Sequence, residues 1–201
     1  QSGMSSAWTT SLWAYVENTS SDQNTYLSKI KAGYTDHEIN LRQSGSNFQF
    51  GGSGIQSGYT TTAISHTGWT NVIVSVTGIG TATVTSTMYI DDDSGVSSTT
   101  SSPIWNDAGE TLLYAGQQGN LSSERPMSGQ LQEVAFWNKE LTAQERSDIF
   151  NGYDYSAGTS SSNTGAKANT VATSNLIAYY TFDDGDVENQ AIQEGMVGVA
   201  N

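Results

Sequence analysis

The 201-residue chain contains no cysteine and only seven lysines and arginines, against 20 aspartates and glutamates. The absence of cysteine excludes disulfide bonds, thiolate catalysis and cysteine-ligated zinc, so stability must come from core burial or from assembly. The net charge of −13 would repel nucleic acids and anionic membranes. No stretch approaches the roughly 20 apolar residues of a transmembrane helix, so we also expect no membrane insertion.

Short runs of β-branched and aromatic residues recur along the chain, with Gly, Asn, Asp or Ser between them. Such runs predict strands, and the glycine-rich segments at residues 51–54 and 78–80 are interpreted as breaks. The predicted strands are residues 11–17, 38–43, 71–77, 85–90, 111–115, 131–137 and 177–182. Many short strands with turns between them favour an antiparallel sandwich or barrel, in a single domain of residues 1–201.

The strand predicted at residues 131–137 should be covered on both sides. Its side chains alternate with the period of two of a pleated strand. This would place Leu131, Glu133, Ala135 and Trp137 on one face, and Gln132, Val134 and Phe136 on the other. Because both faces are largely apolar, we expect protein on each side.

One short helix is predicted near residues 142–151, directly after that strand. Thr142 can accept a hydrogen bond from the Glu145 N–H while the Glu145 side chain returns to the Thr142 N–H, which is a capping box. Asn151 and Gly152 offer a C-terminal stop. No second helical pattern competes, so the sequence predicts an all-β fold with a lone helix.

Four motifs follow one another within residues 11–153. They are Trp69-Thr-Asn-Val-Ile-Val-Ser-Val, Met88-Tyr-Ile-Asp-Asp, Leu112-Leu-Tyr-Ala-Gly116, and Gly129 to Asn138 followed by Leu141-Thr-Ala-Gln-Glu145. This series resembles the laminin G-like, pentraxin-related jelly rolls of the concanavalin A-like lectin/glucanase superfamily. The resemblance implies a two-sheet antiparallel jelly-roll sandwich. Gln132 stands where the family has aspartate, and the longer turn Asp91 to Gly95 replaces the family's Asp-Gly hairpin.

The C-terminal part of the chain has an unusual order. Residues 154–174 are mainly Ser, Thr, Asn, Gly and Ala, which we interpret as a polar strap before a final strand at residues 176–182. The sequence of residues 176–185, LIAYYTFDDG, is similar to the strand that usually opens a laminin G module, so it could close this sandwich or begin a second module. The order resembles segments of structural proteins from marine bacteriophages. Gln1 in place of Met indicates a processed chain or a fragment.

Two acidic clusters are candidate calcium sites. Asp91, Asp92 and Asp93 crowd three carboxylates into one turn, where a cation would relieve their repulsion, and Ca²⁺ prefers six to eight such oxygens. The alternative interpretation is a hairpin tip, because aspartate tolerates turn geometry. The second cluster, Asp183 to Asp186, has the same two interpretations. We predict calcium at one of the two clusters at most.

Trp105, Asn106 and Asp107 are the candidate carbohydrate-binding residues. Sugar rings stack on exposed aromatic rings and hydrogen-bond to neighbouring amides and carboxylates. A loop tryptophan can equally pack under its own loop or in a subunit contact. Trp13 and Trp137 lie in predicted strands, so we expect them in the core.

Catalysis is not expected. Glucanases of the superfamily carry clustered Glu-x-Asp-x-Glu carboxylates on one strand as acid and nucleophile, and the chain has no such cluster. Glu133 and Glu140 have the wrong spacing, and His37 and His66 lie in different polar segments without an obvious nucleophile.

These observations favour a non-catalytic surface module that mediates attachment or assembly, as part of a virion decoration, fibre or adhesin that contacts glycans. The alternative is a free calcium-dependent carbohydrate-binding lectin module, and a glycoside hydrolase is the least favoured function. The expected partners are glycans or another structural protein of the same assembly, including further copies of the chain. Both favoured functions imply an extracellular or virion-surface location.

Overall fold

The computed structural model describes residues 6–20, 24–31, 37–52, 56–101, 111–116, 127–152 and 167–182. The strands are β1 (Ala7–Val16), β2 (Asn24–Lys31), β3 (His37–Ser44), β4 (Asn47–Gly52), β5 (Gln56–Ala63), β6 (Gly68–Thr77), β7 (Thr83–Ile90), β8 (Val96–Ser101), β9 (Thr111–Ala115), β10 (Leu131–Trp137) and β11 (Leu176–Tyr180). Helix α1 spans Ala143–Asn151, and two 3₁₀ turns cover Ala168–Thr170 and Thr173–Asn175.

The strands form two antiparallel sheets that pack face to face. The six-stranded sheet has the order β11-β10-β1-β6-β7-β8, and the five-stranded sheet has the order β5-β4-β3-β2-β9. Strand β1 lies in the middle of its sheet, with Thr9 opposite Ser75 of β6 on one side and Trp137 of β10 on the other. The predicted all-β, two-sheet jelly-roll sandwich with one short helix is confirmed.

A main core fills the space between the two sheets. Strand alternation directs one face of each sheet inward, and each large apolar side chain buried there contributes about 1.5–3 kcal/mol. The fully buried members include Leu12, Ala14, Tyr26, Leu41, Phe48, Phe50, Val72, Val74, Val76 and Met88. At one edge the hydroxyls of Thr60 in β5 and Ser86 in β7 lie 2.6 Å apart and link the sheets. The sandwich is therefore closed along this edge.

A second core lies on the outer face of the six-stranded sheet, under α1 and the 3₁₀ turns. It contains Ile73, Tyr89, Ala135, Trp137, Leu141, Ile149, Ala168, Val171, Leu176 and Tyr179. Trp137 is fully buried, and its Nε1 donates a hydrogen bond of 2.9 Å to the Val171 carbonyl. Strand β10 thus contributes to both cores, which confirms the expectation that protein covers both of its faces.

Helix α1 begins with the predicted capping box. Thr142 Oγ1 accepts a hydrogen bond from the Glu145 N–H at 3.2 Å, and Glu145 Oε2 accepts one from the Thr142 N–H at 2.7 Å. Partial burial opposes ionisation of Glu145, but hydrogen bonds from Lys139 and Thr142 outweigh it and lower the pKa of this carboxyl. The cap fixes where the helix starts, and Ile149 then packs into the second core.

A bulge in β10 changes the predicted alternation of its side chains. Glu133 has a φ of +55°, and the pairing of β10 with β1 shifts at this point. Leu131 and Val134 therefore lie in the main core, while Ala135 and Trp137 lie in the second. The prediction that Leu131 shares a face with Ala135 and Trp137 is wrong, because the extra residue of a bulge exchanges the faces.

Four strands, β2, β4, β5 and β8, lie where the sequence predicted none. The interpretation of residues 51–54 as a break is also wrong for its first two residues, because β4 runs to Gly52. Gly51 stands opposite Asn40 of β3 on one side and Tyr59 of β5 on the other. The break at residues 78–80 is confirmed, since β6 ends at Thr77.

The C-terminal strand β11 pairs antiparallel with β10, with Val134 opposite Tyr180, and so adds an edge to the six-stranded sheet. Residues 153–166 of the connection before it lie outside the described part of the chain. In the remainder, Ala168 and Val171 are buried in the second core. The described end of the polar strap is therefore packed against the sheet.

Gly129→Ala is expected to lower the free energy of unfolding by roughly 1–2 kcal/mol. Gly129 has a φ of +126°, and a Cβ at this position would overlap the Tyr15 carbonyl oxygen. Urea denaturation measures the change. Gly45→Ala is the matched control, because Gly45 has a φ of +57° but no atom lies within 4 Å of its Cβ position. Equal losses in the two variants would contradict the steric argument.

Candidate functional site

Several of the predicted site residues cannot be placed. Trp105, Asn106 and Asp107 lie outside the described residues, as do Asp183 to Asp186. Carbohydrate binding by the first group and calcium binding by the second therefore stay predictions. The described residues do place Asp91 to Asp93, which follow β7 at one end of the six-stranded sheet.

The three aspartates form a tight turn in which protein donors bind their carboxylates. Asp91 and Asp92 have φ values of +49° and +63°. Asp93 Oδ1 accepts hydrogen bonds from the N–H groups of Ile90 and Gly95, at 3.1 and 2.8 Å, and Asp92 Oδ2 accepts one of 2.9 Å from Ser147. Among the described residues, no three acidic or histidine side chains converge in a metal-binding arrangement. The turn fits the hairpin-tip interpretation better than the calcium site, which stays a prediction.

The Asp91 carboxylate lies beside His66. Its Oδ1 accepts a hydrogen bond of 2.8 Å from the Asn71 N–H, and its Oδ2 lies 3.5 Å from His66 Nε2. Burial raises the pKa of the Asp91 carboxyl, and the Asn71 N–H and His66 oppose this effect. His66 is exposed, with Nε2 also 3.2 Å from Thr70 Oγ1. The pair offers acceptor and donor groups at the surface.

Two aromatic rings lie on the outer face of the same sheet, beside this pair. Tyr15 and Trp69 are register partners on β1 and β6, and their rings meet edge to face, 5.5 Å apart at 78°. Tyr15 is 37% exposed, and the Trp69 carbonyl oxygen lies 3.4 Å from His66 Nε2. We call Tyr15, Trp69, His66 and Asp91 the aromatic end.

Trp13 separates the aromatic end from helix α1. Its ring is nearly buried and stacks on Phe150 of the helix at 5.9 Å. The expectation that Trp13 and Trp137 belong to the core is confirmed. An aromatic layer thus continues from beneath the helix to the surface, where Tyr15 and Trp69 are its accessible members.

Glu133, which the sequence analysis considered with Glu140 as a catalytic pair of wrong spacing, has a structural role. Its side chain is buried, and it accepts a hydrogen bond from the hydroxyl of Tyr179. The carboxylate therefore stabilises the pairing of β10 with β11 rather than facing solvent.

In the described part of the chain, no helix has the length and hydrophobicity of a transmembrane segment.

Comparison with known proteins gives one family. A laminin G family model, described as the concanavalin A-like lectin/glucanases superfamily, matches residues 1–145. No curated protein matches the chain.

Solved structures share the fold at low sequence identity. A candidate carbohydrate-binding protein from Bacteroides ovatus matches with a TM-score of 0.58 and 18% identity, over 91% of this chain and 47% of that one. The binding domain of botulinum neurotoxin serotype C1 matches at 0.53 and 12%, over 76% and 38%. The binding domain of botulinum neurotoxin DC in complex with SialylT matches at 0.51 and 12%, over 74% and 36%. The chain spans less than half the length of each of these proteins.

The family match covers both the motif-bearing strands and the start of the helix, and the sandwich topology agrees with it. The chain belongs to the concanavalin A-like lectin/glucanases superfamily.

Proposed function

We propose that the chain is a non-catalytic surface module that mediates attachment by binding glycans at its aromatic end. The observation that carries this proposal is the partly exposed Tyr15–Trp69 pair beside the Asp91–His66 pair. Both pairs lie at one end of the six-stranded sheet.

The chemistry of the aromatic end suits a sugar. The apolar face of a pyranose ring packs on an aromatic ring, while its hydroxyls need donors and acceptors at the ring's edge. Tyr15 and Trp69 supply the aromatic surface, and Asp91 Oδ2 and His66 supply polar atoms. Tyr15 and Trp69 lie on paired strands, and the Asp91 carboxylate is held by the Asn71 N–H of β6. The arrangement therefore exists before the ligand arrives, which reduces the entropy lost on binding.

The comparisons support binding over catalysis. The matched structures include a candidate carbohydrate-binding protein and binding domains of neurotoxins, one of them in complex with SialylT. Glu133 supplies the carboxylate of β10, and it is buried. It therefore cannot belong to a solvent-facing pair of catalytic acids. Because fold alone does not determine function, these points support the proposal without replacing its test.

The proposed biological setting is a larger extracellular assembly, such as a virion decoration, a fibre or an adhesin. Its support is the acidic, cysteine-free composition and the phage-like order of the sequence motifs. In this setting the second partner is a structural protein of the same assembly or another copy of the chain. The alternative is a free calcium-dependent lectin, which the crowded Asp91 to Asp93 turn would favour if a cation bound there.

Trp69→Ala is expected to weaken glycan binding at least tenfold, because it removes the ring that supports Tyr15. A glycan array with and without Ca²⁺ identifies the ligand, and calorimetry then measures its affinity for the variant. Tyr59→Ala is the matched control. Tyr59 is equally exposed, at 37%, but lies on β5 of the other sheet, where its ring packs against Arg42.

The outcomes separate the functions. A blank array from folded protein would contradict glycan binding and favour an assembly role. Binding lost in Tyr59→Ala but kept in Trp69→Ala would move the site to the five-stranded sheet. Binding that requires Ca²⁺ and is lost in Asp91→Ala would favour the calcium-dependent lectin.

A further inference from the structure

The last strand of the six-stranded sheet, β8, has an open edge. In the described part of the chain it pairs with β7 alone, in a continuous register from Thr83 opposite Ser101 to Met88 opposite Val96. Alternate backbone N–H and C=O groups along its far side therefore have no strand partner. Such an edge is a template for pairing with another chain.

Strand β8 lacks the features that usually protect an edge strand. Folded proteins protect exposed edges with charged side chains, proline, bulges or very short strands. The six residues of β8, Val-Ser-Ser-Thr-Thr-Ser, include no charge and no proline, and its pairing with β7 has no register shift. Valine and threonine also favour extended backbone. The edge is therefore ready to accept a further strand.

The charge of the chain restricts where a second copy can approach. Two copies each carry a net charge of −13 and repel one another. Strand β8 has no charged residue, and neither have its neighbours β7 and β5. Strand β5 is an edge strand of the other sheet and contacts β8 at the side of the sandwich that the Thr60–Ser86 hydrogen bond closes. A second copy on this side therefore meets uncharged edges of both sheets.

The exposed face of β8 carries hydroxyl side chains that already form cross-strand pairs. Ser97, Thr99 and Ser101 are exposed. Thr99 Oγ1 lies 2.9 Å from Thr85 Oγ1, and Ser97 Oγ lies 2.8 Å from Thr87 Oγ1. Because a hydroxyl donates one hydrogen bond and can accept two, the pairs with β7 leave capacity for further bonds. Hydroxyl pairs stabilise neighbouring strands, so β8 can form on its free side the kind of contact it forms with β7.

We propose that β8 pairs antiparallel with β8 of a second copy, about a two-fold axis that passes beside Thr99. Directly opposite residues of an antiparallel pair lie on the same face, so a two-fold axis must place one residue opposite its own copy. With Thr99 in that position, Ser97 lies opposite Ser101, and Ser98 lies opposite Thr100. All five positions from 97 to 101 then pair one hydroxyl side chain with another.

The alternative register, with Ser98 opposite its own copy, is less favourable. It would place Val96 opposite Thr100 and so replace a hydroxyl pair by an apolar side chain against a polar one. In either register the strands run in opposite directions, so the acidic turns of residues 91–93 that precede each β8 lie at opposite ends of the contact. This inference concerns assembly and does not depend on glycan binding at the aromatic end.

Single cysteines test the register on the full chain. Because the chain has no cysteine, one introduced thiol can form a disulfide only with the same residue of a second copy. Opposite Cα atoms of an antiparallel pair lie about 4.5–5.5 Å apart, within the roughly 4.4–6.8 Å that a disulfide needs. Thr99→Cys should therefore give a disulfide-linked dimer under mild oxidation. Ser97→Cys is the matched control, and its yield should be at least about tenfold lower, because position 97 lies opposite position 101.

Sedimentation equilibrium tests the contact without a cross-link. The unmodified chain should dimerise at least about tenfold more tightly in roughly 1 M than in roughly 0.01 M salt, since the Debye length falls from about 30 Å to about 3 Å. Thr99→Lys puts two like charges directly opposite each other. It should weaken dimerisation at least about tenfold, although it lowers the net charge of each copy. Thr85→Lys is the matched control, because it removes the same hydroxyl pair on the same face but lies one strand away from the edge.

Three results would overturn the proposal. The first is an unmodified chain that stays monomeric at high salt. The second is an equal disulfide yield from Thr99→Cys and Ser97→Cys. The third is a folded Thr99→Lys variant that dimerises as tightly as Thr85→Lys. Circular dichroism shows whether the variants fold, and if Thr99→Lys does not, the two cysteine variants, which change side-chain size little, decide the outcome.

Discussion

Trp137→Ala is expected to lower the free energy of unfolding by about 3–5 kcal/mol, as large-to-small changes of buried aromatics do. Trp137 is fully buried in the second core, and its Nε1 donates to the Val171 carbonyl at 2.9 Å. Truncation opens a cavity under the segment from Ala168 to Asn175 and leaves that carbonyl without its donor. Chemical denaturation measures the loss.

Two further variants assign the Trp137 effect to its causes. Trp137→Phe keeps most of the apolar volume but removes the indole donor, so its cost should be smaller than that of the alanine variant. Trp69→Ala removes a tryptophan that is only partly buried. It should lower the free energy of unfolding by less than either Trp137 variant does. Equal losses for Trp69→Ala and Trp137→Ala would contradict the argument that full burial and the indole hydrogen bond make Trp137 the more important of the two.

Alkaline pH is expected to destabilise the fold through Tyr26. This residue is fully buried, and burial raises the pKa of its hydroxyl well above the ordinary value near 10. Above pH 10 the unfolded chain releases a proton that the folded chain keeps. The free energy of unfolding should therefore fall by up to about 1.4 kcal/mol per pH unit, or about 2.7 kcal/mol by pH 12.

Tyr26→Phe separates this effect from the titration of other groups. The phenylalanine ring keeps the contact with Phe48, whose centroid is 5.6 Å from that of Tyr26, and loses the weak hydrogen bond to Gln43. The variant should lose less stability than the unmodified chain between pH 10 and pH 12. If Tyr26→Phe loses as much stability as the unmodified chain over this range, the buried hydroxyl is not the cause.

The sequence predicts most strongly those elements whose local signals agree with tertiary packing. Strand β10 and helix α1 were predicted because an apolar strand, a capping box and a stop follow in order, and each signal acts over a few residues. The strand β8 gave no such signal: it consists of Val96 and five serines and threonines. It forms because hydroxyl pairs such as Thr85–Thr99, at 2.9 Å, bridge it to β7. Partners supplied by another strand are not visible in the segment itself.

The aromatic end was beyond sequence reasoning for a related reason. The sequence shows Trp69 as the start of a strand, and it shows His66 and Asp91 as candidate catalytic or metal-binding residues. Tyr15 joins them only through the register of β1 on β6, which depends on the packing of both strands. The bulge at Glu133 is similar, because its backbone conformation follows from the pairing of β10 and not from the residue type.

The central position of β1 has a consequence for biosynthesis. The hydroxyl of Thr10 in β1 reaches the carbonyl of Ala135 in β10, 125 residues further along the chain. At about 5–20 residues per second, the ribosome needs roughly 6–25 s to make the partner strand after β1 has appeared. Until then one edge of β1 presents unpaired backbone groups to other nascent chains. Folding of this module is therefore completed late. Its yield in a cell depends on how well the unpaired edge of β1 is protected from other nascent chains until β10 has been made.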